Sequence, residues 1–563
     1  MYITGSAAIA QPPVNASGNM VYRVVFHQSG SVSVVHFPAG KRLDVAAVDA
    51  GVLIRRDCGG NGTCGKCKVV IDDQVLLACR TNIDRDMIVT VADESKKRDL
   101  IAIQTHDFVS EIPVFYGREA DSFGVAVDIG TTTIVAELHV LNAASDYFEF
   151  SDLSEHSDLS EHCGQVVKEN FPFVVSCANP QRNYGVDVIT RVQRIIEEPA
   201  FLAIFQTLIV RVINELFESL AAAAGINVTQ ITRVTVAGNT VMEHIFLGID
   251  PSSLGYFPFE AVCSVFPDCR GNEIGVNISS SGVIETLPIF GGFVGGDLVA
   301  GVLAVGMWSD ERTTFLIDIG TNGELVLRHG GKFYTAATAA GPAFEGGRIE
   351  YGMLAVPGAI DHVTISDSNV EISTIANLPA TGICGSGLMD VVSEMLANNL
   401  ILPTGKFNVT INSPFMDRWR VVEGRPVFVL VFEEESGRAN EAVVITQKDI
   451  RQVQLAVGAI RAGIKLLLQN INLCLSDVSM FYVAGGFGSF IRVESARRLG
   501  LIPSELEIDR VKMCGNTSLA GARKALFDSR TCDIMKSICK NTHQIDLAAI
   551  PNFADVFAEE MIW

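Results

Sequence analysis

Two stretches of the chain share residue types and a spacing that suit phosphate chemistry: Gly124–Glu137 (GVAVDIGTTTIVAE) and Phe315–Leu327 (FLIDIGTNGELVL). Each runs an apolar, β-branched segment into Asp-Ile-Gly-Thr and returns in a second apolar segment, which predicts strand, tight turn, strand. The aspartate that closes the first strand, Asp128 or Asp318, places a carboxylate where it can hold a metal-bound water. Gly130 and Gly320 let the backbone approach a phosphate with no Cβ in the way. Thr131, Thr132, Thr133, Thr321 and Asn322, with Gly323 in the same turn, add hydroxyl, amide and backbone donors for phosphate oxygens. A single Asp-x-Gly-Thr is an ordinary strand turn. Two copies in matching frames imply two related half-domains that clamp one nucleotide between them.

A second chemistry lies upstream. Cys58, Cys64, Cys67 and Cys79 are spaced C-x5-C-x2-C-x11-C, with Gly59, Gly60, Gly62 and Gly65 among the first three. Four thiolates can hold a 2Fe–2S cluster or a structural zinc. The glycines favour the cluster, because an iron–sulfur loop must wrap closely and aim backbone N–H groups at the sulfides. A zinc knuckle usually shows two C-x-x-C pairs, and here the second is missing. Gly60–Cys67 (GNGTCGKC) imitates a phosphate-binding P-loop but ends in Cys instead of the Ser or Thr hydroxyl that Mg²⁺ needs, so that reading is rejected.

The elements around these residues set the domain plan. At 563 residues the chain exceeds a single core. Residues 1–20 lack a basic n-region and a continuous apolar run, and read as a disordered extension with Met20 as an alternative start. Val21–Gln28 and Ser31–Phe37 read as a hairpin and 43–52 as a short helix, giving a cluster domain over 21–92. Residues 93–121 read as a tether. A first core subdomain is expected over 122–207, and the remaining core over 208–563. Within the former, 151–162 (SDLSEHSDLSEH) is an exact six-residue tandem repeat, read as an acidic surface insertion and not as a His156/His162 metal site. Leu202–Ile226 and Gly291–Trp308 are apolar but carry Arg211, Glu215 and Asp297, so they are expected to be buried or amphipathic helices and not membrane spans. The net charge of −21 argues against nucleic acid and against an anionic membrane as partner. Thirteen cysteines, mostly single in apolar runs, suit a reduced, cytoplasmic chain.

Further glycine turns follow in order. Arg233–Phe246 reads as strand, Gly-Asn-Thr, helix; Gly291–Gly301 opens a helix with Asp297 in its first turn, where the dipole favours an acid. Ala339–Gly347 (AAGPAFEGG) and Gly382–Gly387 (GICGSG) are each expected to present N–H groups at a helix start. Residues 445–468 read as a long helix with a Thr446/Asp449 capping box. Cys514–Ala522 (CGNTSLAGA) repeats the Gly-Asn-Thr turn of Gly238–Thr240.

The paired hairpins resemble those of the actin-like ATPase superfamily, whose adenosine motif is a strand and a glycine pair opening a helix. Met480–Phe490 (MFYVAGGFGSF) matches it with Gly485, Gly486 and Gly488. The cysteine stretch resembles plant- or adrenodoxin-type ferredoxins of β-grasp fold, although its last gap is shorter than theirs. The combination, with NPQRNYG, AGNTVMEH, VGGDLVAG, DIGTNGEL, AAGPAFEGG, GICGSG, ITQKDIR, AGGFGSF and GNTSLAGA in this order, resembles the reductive activators of corrinoid proteins. The implied fold is α/β and multidomain: an N-terminal β-grasp 2Fe–2S ferredoxin domain, then a duplicated, ribonuclease H-like, actin-like ATPase core.

The resemblance implies ATP-dependent, one-electron reduction of cob(II)amide to cob(I)amide in a corrinoid protein that serves methyl transfer. A 2Fe–2S cluster, ATP and Mg²⁺ are the implied cofactors. A reduced ferredoxin or a reductase is the implied electron donor, and a homodimer the implied assembly. Cys58, Cys64, Cys67 and Cys79 would then ligate the cluster. Asp128 and Asp318 would hold Mg²⁺ through water, and Thr131, Thr132, Gly320, Thr321 and Asn322 would cradle the β- and γ-phosphates. Gly485 and Gly486 would pass against the nucleoside, and either Glu324 or Asp297 would position the attacking water. The competing readings are an activator of another low-potential enzyme (the 2-hydroxyacyl-CoA dehydratase type), a redox-gated nucleotide-binding module, and a kinase.

Overall fold

The computed structural model describes residues 20–28, 31–50, 52, 54, 67–72, 74–91, 122–141, 173–185, 187–409, 414–438, 440–485 and 490–563. The N-terminal extension up to residue 19, the tether, the acidic repeat, Cys58, Cys64, Gly486 and Gly488 lie outside the described residues. Chain contacts divide the protein into two units, Met1–Asp99 with Pro180–Arg194, and Leu100–Asn179 with Ile195–Trp563.

The first unit is built on a five-stranded sheet of β1 (Val21–Gln28), β2 (Ser31–Pro38), β3 (Lys68–Ile71), β4 (Gln74–Leu77) and β5 (Met87–Val91), in the order β2-β1-β5-β3-β4. β1 and β2 form the expected antiparallel hairpin, and β5 lies parallel to β1. In β5 alternate side chains are buried, so one face of the sheet is apolar and must be covered. Helix α1 (Leu43–Asp49) supplies Leu43, Ala46 and Ala47 to the core shared with Val24, Phe26, Val69 and Val89. This is the β-grasp arrangement. In the segment 180–194 the buried Arg191 donates to Gly185 O (3.0 Å) and Gln181 Oε1 (3.1 Å), and helix α2 (Val188–Glu197) begins there.

The second unit holds two six-stranded sheets of like design. The first contains β6 (Ser122–Ile129), β7 (Thr133–Leu141), β8 (Phe173–Ala178), β9 (Ile231–Gly238), β10 (Cys269–Arg270) and β11 (Val283–Thr286), ordered β10-β11-β9-β6-β7-β8. Its helices are α3 (Phe201–Ala224), α4 (Thr240–Phe246), α5 (Gly271–Ile274) and α6 (Gly296–Ala304). The second sheet begins with β12 (Thr314–Ile319), β13 (Gly323–His329) and β14 (Lys332–Thr338). An insertion follows: β15 (Ala359–Ser366), β16 (Asn369–Thr374), β17 (Gly382–Ile383), α7 (Gly385–Ala397), β18 (Trp419–Val422), β19 (Arg425–Val431) and β20 (Val443–Thr446). The chain then returns through α8 (Gln447–Asn470), β21 (Met480–Ala484), α9 (Val493–Leu499), β22 (Val511–Gly515), α10 (Thr517–Phe527), α11 (Arg530–Lys540), β23 (Thr542–Gln544) and α12 (Phe553–Glu560). The resulting order is β22-β21-β12-β13-β14-β23.

The duplication is visible in the register. Asp128 pairs with Ala237 across the parallel β6/β9 ladder, and Asp318 with Ala484 across β12/β21. Helices α6 and α10 follow the corresponding strands β11 and β22 and pack on each other. Their backbones meet closely: a Cβ on Gly521 would stand 2.1 Å from Ala300 O, and one on Gly301 would stand 3.0 Å from Thr517 Oγ1. Both helices are largely buried, and Val299, Ala300 and Leu303 share a core with Ala126, Ala237, Leu519 and Ala522.

Most expected elements are present, including the capping box in which the Thr446 hydroxyl accepts from the Asp449 N–H. Two expectations are corrected. The boundary drawn between residues 207 and 208 falls inside the continuous helix α3, whose buried face (Phe205, Ile209, Ile213, Phe217) runs through it. AAGPAFEGG opens no α-helix; Pro342–Glu345 is a single 3₁₀ turn closed by Gly346 at φ 74°, a left-handed residue that ends helical propagation. No helix among the described residues is long and apolar enough to cross a membrane.

Gly521→Ala tests the helix contact. The added methyl meets the Ala300 carbonyl, so the expected effect is a loss of about 1–3 kcal/mol of stability, in spite of the better helix propensity of alanine. Denaturant unfolding measures it.

Candidate functional site

The two hairpin turns carry their aspartates to the ends of β6 and β12, and the antiparallel partners differ. Opposite Asp128 in β7 is Val135; opposite Asp318 in β13 is Glu324. Two acids facing each other on one ladder repel. A third acid, Asp297, enters from the first turn of α6, its Oδ1 accepting from the Leu298 N–H at 2.8 Å. Burial raises the Asp318 carboxyl to about 8, with Asp297 and then Asp128 adding to the shift. Burial, then the Asp128 charge, raises Asp297 to about 7. Glu324 is pushed well above its ordinary value by burial, then by Asp297 and Asp318, against an Asn322 side-chain hydrogen bond that favours the ionised form. Among the described residues, no lysine, arginine or histidine forms an ion pair with any of these four acids.

This donor set fits a hard divalent cation, which would restore ionisation to the acids it faces. No group of three described His, Cys, Asp or Glu residues is close enough together to ligate one ion directly.

Asp128 has a different environment. Asn516 Nδ2 donates to its Oδ2 and Ser518 Oγ to its Oδ1, each at 2.8 Å, while burial pushes its carboxyl up against these two hydrogen bonds. Both donors come from the start of α10, on the other sheet's half. Asn516 also caps that helix, its Oδ1 accepting from the Leu519 N–H at 2.9 Å.

The hairpin hydroxyls converge on one acid. Thr321 Oγ1 donates to Glu345 Oε1 at 2.5 Å, and Thr132 Oγ1 reaches the same oxygen at 3.5 Å. The first turn is held from below by Asn179, whose Nδ2 donates to Gly130 O at 2.9 Å. The two turn glycines serve different ends. A Cβ on Gly130 would stand 2.7 Å from Thr133 O, so the hairpin itself requires glycine there. A Cβ on Gly320 would have only Asn322 O at 3.7 Å near it, leaving that face open. Gly323 lies within the ladder, opposite Thr338. Gly485 adopts φ 109°, and a Cβ there would stand 2.5 Å from Ile319 O and 3.0 Å from Asp318 Oδ1. The glycine expected against the nucleoside is thus packed on the second hairpin's aspartate.

Sequence reasoning assigned no role to Asn516, Ser518, Glu345 or the fully buried Glu243. Glu243 Oε1 accepts from the Gly238 N–H at 3.1 Å, and burial, then Asp297, raises its carboxyl well above the ordinary range. All four sit in glycine motifs already singled out, GNTS, PAFEGG and GNTVMEH, and what was missing was the partner each one meets.

In the first unit Cys67 and Cys79, both buried, bring their sulfurs within 3.2 Å of each other. Cys67 O accepts from the Ala78 N–H at 2.9 Å, which ties the end of the cysteine loop to the turn carrying Cys79. Arg42 lies beside both thiols and is held by paired hydrogen bonds to the buried Asp44 (2.9 and 2.7 Å). Two adjacent thiolates of this kind fit one iron of a 2Fe–2S cluster.

Fold and site define an iron–sulfur protein with a duplicated, actin-like nucleotide-binding core. Residues 26–88 match the 2Fe-2S iron-sulfur cluster binding domain, 166–310 the RACo middle region, and 312–563 the C-terminal domain of RACo, the ASKHA domain. Corrinoid activation enzyme RamQ of Eubacterium limosum is 31% identical over 443 residues, which span 78% of this chain and 70% of that protein. The Co(II) methylated amine-specific corrinoid protein reductase of Methanosarcina barkeri is 28% identical over 351 residues, 56% of this chain and 59% of that protein. A solved structure, the reductive activator for corrinoid, iron-sulfur protein, is 28% identical and superposes with a TM-score of 0.69 over 96% of this chain and 98% of that one. The chain belongs to the RACo family, the reductive activators of corrinoid proteins.

The acid cluster predicts a pH dependence. Asp318 has a folded-state value near 8 against an ordinary 3.8, so the folded protein holds its proton more tightly than the unfolded chain. Its stabilising contribution is complete below 3.8 and is lost as pH rises through about 8. Without nucleotide or divalent cation, the melting temperature is expected to fall across this window, and Asp318→Asn to flatten the fall; thermal melts over a pH series measure both.

Proposed function

We propose that this protein reactivates a corrinoid protein by one-electron reduction of cob(II)amide to cob(I)amide, driven by ATP. The observation that carries the reading is that one chain holds both a buried pair of adjacent thiols in a β-grasp unit and a duplicated core with a cluster of buried acids at its hairpin turns. The family relatives named as activators and reductases of corrinoid proteins support it.

Cys58, Cys64, Cys67 and Cys79 are the residues to hold the cluster, which when bound supplies the single electron that cobalt gains. In the core, Asp128 and Asp318 would hold Mg²⁺, which when bound would neutralise charge on the nucleotide phosphates. Thr131, Thr132, Thr133, Thr321 and Asn322 orient the β- and γ-phosphates, and the open face of Gly320 lets the backbone approach them. Gly485 and Gly486 line the path of the nucleoside, and either Asp297 or Glu324 positions the attacking water. The electron comes from a reduced ferredoxin or a reductase, the active assembly is a homodimer, and the protein works in the cytoplasm.

Energetics explain why the two parts share a chain. A plant-type cluster lies near about −400 mV, and each ~59 mV of further uphill transfer costs a factor of ten for one electron. Nucleotide can supply the difference only by binding two states of the complex unequally. Two half-domains joined at the α6–α10 contact are a suitable two-state element.

Mixed anaerobically with a cob(II)amide protein, a low-potential reductant and MgATP, the protein is expected to generate the cob(I) absorption, and omission of ATP to abolish it. Equal reduction without nucleotide overturns the reading. Cys67→Ser and Cys79→Ser are each expected to remove the cluster's visible and EPR signals together with cobalt reduction. Asp318→Asn is expected to lower ATP hydrolysis by about 10²-fold or more while leaving the cluster spectrum intact.

A further inference from the structure

The duplicated core places two helix starts at equivalent positions and gives them opposite chemistry. In α6 the N-cap and first two helical residues are Gly295, Gly296 and Asp297; in α10 they are Asn516, Thr517 and Ser518. A leucine follows in each case, Leu298 and Leu519. Each helix start faces a hairpin aspartate. Asp297 brings a further like charge to the hairpin aspartates and offers them no donor, which suits a cation. Asn516 and Ser518 present donors to Asp128 and occupy one oxygen each, at 2.8 Å.

The geometry points to a further pair of functional residues: Asn516 and Ser518 are positioning residues for the nucleotide site, which hold the Asp128 carboxylate from the opposite half-domain. This rests on the ATPase reading above and deepens it. Asp128 belongs to the first sheet and its two donors to the second, so any change in the angle between the halves moves donors relative to carboxylate. The two donors flank Thr517, the residue that Gly301 meets at the start of the α6–α10 crossing, so the contact to Asp128 is made where the two half-domains pack on each other. Asn516 is held on both sides, by Asp128 and by the Leu519 N–H, so helix α10 and the first hairpin are fastened through one side chain. Setting Asp128 and closing the core are then one event.

Asn516→Asp separates this role from ordinary capping. Aspartate caps a helix as well as asparagine does, so the helix start is kept, but the donor to Asp128 is replaced by a repelling carboxylate. In the full-length, cluster-loaded protein, Asn516→Asp is expected to lower the kcat of ATP hydrolysis about 10- to 100-fold with KM little changed, since misplacement of a site group acts on the reacting state. Ser518→Ala is expected to lower kcat in the same manner and Ser518→Thr, which retains the hydroxyl, to restore it. Wild-type kcat in Asn516→Asp, or equal loss in Ser518→Ala and Ser518→Thr, overturns the assignment. If Asn516→Asp does not fold, the Ser518 pair decides. Hydrogen exchange is the readout that does not need hydrolysis: added MgATP should slow exchange at residues 128–131 and 517–519 in the wild type and not in Asn516→Asp. Should the wild type show that protection but no ATPase activity, the function proposed above falls and the positioning contact stands; equal protection in both proteins overturns the contact.

Discussion

The close approach of α6 and α10 is the constraint on which the core depends. The backbones meet because Gly521 and Gly301 carry no side chains, and no larger residue fits against the Ala300 carbonyl without shifting a helix. That contact brings the two helix starts beside the two hairpin turns, so Ser518 reaches Asp128 and the charge of Asp297 is felt by the hairpin aspartates. Were the helices farther apart, the acids would be solvated separately, and neither the raised carboxyls nor the Asn516 and Ser518 hydrogen bonds would exist.

Within this frame the halves have diverged in charge, not in backbone. One hairpin aspartate faces valine across its ladder and two neutral donors from α10. The other faces glutamate and a second aspartate. A symmetric set of acids would have two equivalent cation positions. In the observed set all three aspartates act on one another but only Asp128 carries neutral donors, an inequality that suits a site where a single nucleotide binds with a fixed polarity. Without a ligand the repulsion is relieved by protons, as the raised carboxyls show, and a bound cation would take the place of those protons.

The first unit shows a related economy. A short glycine-rich cysteine loop would be costly to order alone; the β-grasp sheet orders its end by pairing β3 with β5 and by the Ala78 N–H bond to Cys67 O. The shorter gap between Cys67 and Cys79 is accommodated by the tight β3–β4 hairpin, whose ladder runs from Lys68 opposite Leu77 to Ile71 opposite Gln74 and so returns the chain to its starting point.

Much of this was legible in the residues themselves. Apolar, β-branched runs interrupted by Asp-Ile-Gly-Thr and resumed at once read as hairpins, and the cysteine spacing with four glycines reads as a cluster loop. Local chemistry determined those elements, because strand alternation, glycine turns and thiolate ligation act over a few residues. Tertiary structure alone decided which side chains meet. That Asp128 is bound by Asn516 and Ser518, that Thr132 and Thr321 share Glu345, and that Gly485 backs onto Asp318 depend on contacts across hundreds of residues, set by helix packing and sheet order. No local pattern encodes such a contact, since its energy comes from burial and hydrogen bonding between segments that the chain brings together only when both halves have folded.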